Sequence, residues 1–86
     1  MYLDIKEIKA ITAKAYADKI GSTTMNPIIC KIKEVAATGR MEVKIIFKDY
    51  PMLDKNDTNI AYLTTWARLC GYATALYETC LYIKWY

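Results

Sequence analysis

The last 28 residues of this 86-residue chain hold seven of its eleven aromatic side chains and only three of its 21 charges. From Asn59 to Tyr86 the charged residues are Arg68, Glu78 and Lys84, and nineteen positions are apolar or aromatic. A chain of this length buries roughly 60–65% of the surface that its unfolded form exposes. The C-terminal third therefore holds more apolar surface than so small a domain readily covers alone. The excess implies contact with something else: a second copy, a partner protein or a ligand.

The rest of the composition narrows the options. Eighty-six residues make one domain, 1–86. There is no histidine, which removes Cys/His zinc sites and histidine-based catalysis. Cys30, Cys70 and Cys80 are odd in number and widely spaced. They fit neither a disulfide framework nor a paired zinc motif, and read as three small buried hydrophobes in a reducing compartment. Met1 to Lys14 carries charges every few residues and no apolar core of the signal-peptide kind. No apolar run reaches the roughly 20 residues that span a bilayer. The expectation is a soluble, cytoplasmic protein without membrane contact. A net charge of +3 is too small to imply nucleic-acid binding by itself.

Along the chain, Asp4 precedes Ile5, Ile8, Ile11, Ala15 and Ile20 at near-helical spacing, and Gly21 is a stop. This predicts a helix over 5–20 with that stripe facing the core. Asn26-Pro27 reads as the cap and first position of a second helix. Its stripe is Ile28, Ile32, Val35 and Ala36, and Gly39 ends it. Met41 to Lys48 reads as a strand with Val43, Ile45 and Phe47 on one face and Glu42, Lys44, Ile46 and Lys48 on the other. A loop covers 49–57, and Asp57 or Asn59 caps a third helix that ends at Gly71. Two apolar stripes share that helix: Ile60, Leu63, Ala67 and Cys70, and beside them Tyr62, Trp66 and Leu69. Residues 72–77 and 80–86 then read as a hairpin turning at Glu78-Thr79. The expected fold is α+β, in the order ααβαββ. A small three-stranded antiparallel sheet carries about three helices on one face. Val43, Ile45, Phe47, Leu81, Ile83 and Trp85 form its core.

The segment Ile32-Lys33-Glu34-Val35-Ala36-Ala37-Thr38-Gly39-Arg40, followed by Val43-Lys44-Ile45, resembles a helix, Gly-basic, strand segment of small phage-encoded accessory proteins of unassigned function. So do the closing words Leu69-Cys70-Gly71-Tyr72 and Tyr82-Ile83-Lys84-Trp85. The resemblance spans roughly 28–86. It implies a phage or prophage protein acting in the bacterial host cytoplasm on a host or defence component, and it supplies no functional residues.

Four groups of side chains invite a functional reading. The outward sheet face presents Lys44, Ile46, Lys48, Tyr82, Lys84 and Tyr86. Tyrosines there can stack on bases while lysines meet phosphate, although the same residues suit a solvated face or a dimer contact. On the third helix, Tyr62, Trp66 and Leu69, with Arg68 at the rim, read either as core or as an aromatic protein interface. Lys31, Lys33 and Arg40 suit the negative end of the second helix, or a phosphate-bearing ligand. Asp49, Asp54 and Asp57 do not match a calcium loop and read as solvated acids. Catalysis gets little support. Ser22 is the only serine, no Gly-rich phosphate loop occurs, and Cys70 has only Arg68 nearby to activate it.

The leading expectation is a non-enzymatic binding protein without cofactor or metal. It self-associates as a dimer and contacts a host protein through Tyr62, Trp66, Arg68, Leu69, Tyr82, Lys84 and Tyr86. The alternative is a nucleic-acid or nucleotide binder that uses Lys44, Lys48, Tyr82, Lys84 and Tyr86. Exposure separates the two. A buried helix pair, Tyr62 and Trp66, beside an open sheet pair, Tyr82 and Tyr86, puts the binding surface on the sheet.

Overall fold

A computed structural model describes residues 4–85. The elements run α1 (Ile5–Ile20), α2 (Ser22–Ala37), β1 (Glu42–Ile46), α3 (Asp57–Leu69), β2 (Ala73–Leu76) and β3 (Cys80–Lys84), with one 3₁₀ turn, Phe47–Asp49, after β1. The strands form one antiparallel sheet in the order β1-β3-β2, so the last strand is central. This is the α+β arrangement that the sequence implies. The expectations placed on Tyr86 lie outside the described residues.

The sheet's register follows from strand alternation. Val43 faces Ile83 and Ile45 faces Leu81 across β1 and β3, and all four are buried. With Phe47 they form the sheet's half of the core. β1 is shorter than the predicted strand. The chain turns at Phe47, whose N–H still donates to the Thr79 carbonyl (3.1 Å). Lys48 therefore lies on the 3₁₀ turn rather than on a strand. The loop that follows is anchored by Leu53, fully buried, and by Asn59 Nδ2, which donates to the Met52 carbonyl (2.8 Å). Asn56, not Asp57 or Asn59, caps α3: its Oδ1 accepts from the Asn59 N–H (3.1 Å). That satisfies one of the free N–H groups at the helix start.

The helices are layered. α2 packs on β1 and α3 on β2, while α1 lies chiefly along α3. α2 begins at Ser22, before the predicted Asn26-Pro27 start. Thr24 and Met25 are buried, so the earlier turn has packing to gain, and the Gly21 carbonyl accepts from both their N–H groups. Pro27 sits inside the helix, where its missing N–H deprives the Thr23 carbonyl. Both residues are exposed, so water can satisfy that carbonyl. Gly21 alone links α1 to α2, at φ 100° and ψ 145°. Only glycine occupies that backbone region without strain.

The largest departure from the sequence reading is α1. Ile5, Ile8, Ile11 and Ala15 do not face the core; all four are exposed. The packed face is Ala13, Tyr16, Ala17 and Ile20, the i, i+3, i+4, i+7 pattern begun eight residues later. At its edge the exposed Lys19 places Nζ 5.0 Å from the Tyr16 ring centre and 5.2 Å from that of Tyr62 on α3, and the two rings are 5.6 Å apart. One ammonium thus bridges two aromatic faces and ties α1 to α3.

Candidate functional site

With the helices on one side, the opposite side of the sheet is uncovered, and register sorts its residues into three rows. At the hairpin end, Ile46 of β1 faces Cys80 of β3, whose far neighbour across the turn is Tyr77. In the middle, Tyr82 lies between Lys44 and Ala75. At the far end, Lys84 lies between Glu42 and Ala73. The face therefore runs from an apolar row through a mixed row to an ionic one.

Tyr82 is the hub. The Tyr77 ring meets it edge-on, with centroids 5.6 Å apart and planes at 81°. That is the diagonal cross-strand pair which long side chains can make in a sheet. Lys44 Nζ sits 6.0 Å from the Tyr82 ring centre, at the outer limit of a cation–π contact. Tyr82 is half-buried while Tyr77 is 58% exposed. Beneath them Cys80 is buried. A shallow groove of about 510 Å³ runs over this surface, bounded by Glu42, Tyr77, Thr79, Cys80, Tyr82 and Lys84.

A second groove, of about 490 Å³, follows the free edge of β1. It brings Lys31 of α2, Arg40 and Lys44 together beside Tyr82, with Glu42 as the one acid. The sequence places Lys31 and Arg40 near the end of α2, as complements to the helix end or for a phosphate-bearing ligand; the fold carries them round to the sheet. Lys33 is exposed but does not line this groove. Lys48 belongs to another groove, with Asp54, Asp57 and Glu78 near the hairpin turn, and so drops out of the basic face.

The helical half of the expected interface is core. Trp66 is only 8% exposed and heads an aromatic chain: its ring lies 6.2 Å from that of Tyr72, which lies 6.4 Å from that of Trp85. Tyr62 is held against Tyr16, and Leu69 packs on the core. Arg68 is exposed, but its Nε donates to Thr74 Oγ1 (3.2 Å), which fastens α3 to β2. None of these four forms a surface with Tyr82 and Lys84. Tyr77 was missed as a site residue. Counting alternation from Tyr72 places Ala73, Ala75 and Tyr77 together on the open side, so the signal was available.

The cysteines also differ from expectation. Cys80 is buried, while Cys30 and Cys70 are exposed, and all three are free thiols. Partial burial pushes the Cys70 thiol upward from its ordinary value, the opposite of activation by Arg68. Among the described residues no group of three or more Cys, Asp or Glu side chains could hold a metal ion, and no helix is long and apolar enough to cross a membrane. In comparisons with known proteins, no family model, no curated protein and no solved structure matches the chain.

Proposed function

We propose that this chain is a small non-enzymatic binding protein that meets a protein partner through the uncovered face of its sheet. The observation that carries this is the three-row order of that face. Ile46 and Tyr77, over the buried Cys80, supply an apolar end, Tyr82 a central aromatic anchor, and Lys44, Lys84 and Glu42 a charged border. Protein interfaces share that anatomy: an apolar, aromatic centre with a polar rim. The resemblance to phage accessory proteins supports a host or defence protein as the partner class.

Partner capture tests it. Wild-type protein and a Tyr77→Ala/Tyr82→Ala variant serve as paired baits in bacterial lysate, with circular dichroism to confirm that the variant is folded. The expected result is a partner retained by the wild type and lost by the variant. A partner retained equally by both would overturn the assignment of this face.

The convergence of Lys31, Arg40 and Lys44 beside Tyr82 favours a second reading, a single-stranded nucleic acid with its backbone along the β1 edge and a base on Tyr82. Its affinity for an oligonucleotide would fall steeply with salt, and the Tyr82→Ala variant would lose about 1–3 kcal/mol. Binding that is insensitive to salt contradicts it.

A further inference from the structure

Every described residue from Asp4 to Ile11 is exposed, although Ile5–Ile11 is helical. Two turns of α1 thus bury little of their surface against the packed body. Short helices without tertiary contact are marginal in water, and isoleucine is not a strong helix former. Yet this segment holds Ile5 (67% exposed), Ile8 (43%) and Ile11 (67%). At about 100° per residue, Ile8 lies mid-way on an arc of roughly 120° bounded by Ile5 and Ile11, with Thr12 and Ala15 continuing it. Lys6 and Lys9 point elsewhere, in line with the side that packs on α3.

We propose that this stripe takes the same stripe of a second copy, with the two α1 helices antiparallel. The charge pattern selects that occupant. Glu7 and Lys14 lie on one flank of the stripe, seven residues apart, about 10 Å along the axis. A two-fold axis between Ile8 and Ile11 exchanges them, because antiparallel pairing brings like flanks together. Glu7 of each chain then meets Lys14 of the other, Ile8 meets Ile11 twice, and Ile5 meets Thr12 on the opposite flank. A parallel pair would instead bring opposite flanks together, so that Glu7 faces the Ile5–Thr12 flank and the Glu7–Lys14 pairs are lost. The contact is small beside the roughly 800 Å² per partner of a standard interface, so association belongs in the micromolar range. This inference is independent of the sheet-face assignment.

Sedimentation equilibrium from low to high micromolar concentration tests it on the full chain. Ile8, Glu7 and Lys14 are exposed, so their variants keep the fold, and circular dichroism checks that they do. The expected result is a monomer–dimer equilibrium for the wild type and a monomer for Ile8→Glu. Glu7→Lys and Lys14→Glu each weaken the dimer roughly three- to tenfold. The double reversal Glu7→Lys/Lys14→Glu recovers most of that loss. A wild type that stays monomeric, an Ile8→Glu variant that dimerises normally, or a double reversal no better than the singles would overturn the antiparallel pairing.

Discussion

The C-terminal third and the first helix differ in what they do with apolar side chains. The former concentrates seven aromatics in few charges, and the fold absorbs most of them. Trp66 is buried, Tyr72 and Trp85 pack against the core, and Tyr62 is held by Tyr16 and Lys19. The latter spaces its isoleucines among lysines and acids, as a helix half-facing a core would, and exposes three of them. Apolar density therefore pointed to Tyr77 but not to the exposed isoleucines of α1. Position in the layering did: α3 lies between the sheet and α1, so two of its sides are covered, whereas no other described residue covers the first turns of α1.

Stability measurements can break this contrast. Trp66→Ala is expected to cost about 3–5 kcal/mol in urea unfolding, as a buried indole does, whereas Tyr77→Ala should stay within roughly 1 kcal/mol. Similar losses at both would erase the distinction between core and face. Leu53→Ala, in a loop, is expected to cost about 2–5 kcal/mol, because a fully buried side chain is felt wherever the chain places it. A Tm unchanged from the wild type would show the loop to be unanchored. Gly21→Ala should cost about 1–3 kcal/mol through backbone strain alone, since the space around a new Cβ is open. Lys19→Met would sharpen the α1–α3 account, with a loss of about 0.5–1 kcal/mol that vanishes when Tyr16 and Tyr62 are already replaced by leucine.

The smallest effect concerns pH. Burial, and then the neighbouring Asp49 charge, raise Tyr50 above its ordinary pKa of 10.0. The folded state then holds the proton more tightly than the unfolded state. The contribution is complete below pH 10.0 and is lost as pH rises through the raised value. Tyr50→Phe should flatten the alkaline limb of the stability curve relative to the wild type. An unchanged limb would mean that Tyr50 is not shifted.

The element order, the sheet core and the helix ends at Gly21 and Gly71 were legible because period and punctuation agree there. Val43, Ile45, Leu81 and Ile83 alternate cleanly, and each is buried. The face of α1 was not legible, because two apolar stripes compete on it. Ile5, Ile8, Ile11 and Ala15 are more hydrophobic than Ala13, Tyr16 and Ala17, yet the smaller residues allow the close approach to α3. The start of α2 was hidden by a local cap signal at Asn26-Pro27, which the burial of Thr24 and Met25 outweighs. Half of the sheet face could be read from alternation. The addition of Lys31 and Arg40 could not, since it depends on how α2 lies along the β1 edge.

Hydroxyl-radical footprinting read by mass spectrometry, at low micromolar concentration, tests the division between covered and displayed apolar surface most directly. After correction for intrinsic reactivity, Ile5, Ile11 and Tyr77 are expected to be modified many times faster than Trp66 and Leu63. Rapid modification of Trp66 together with protection of Ile5 and Ile11 would contradict the account.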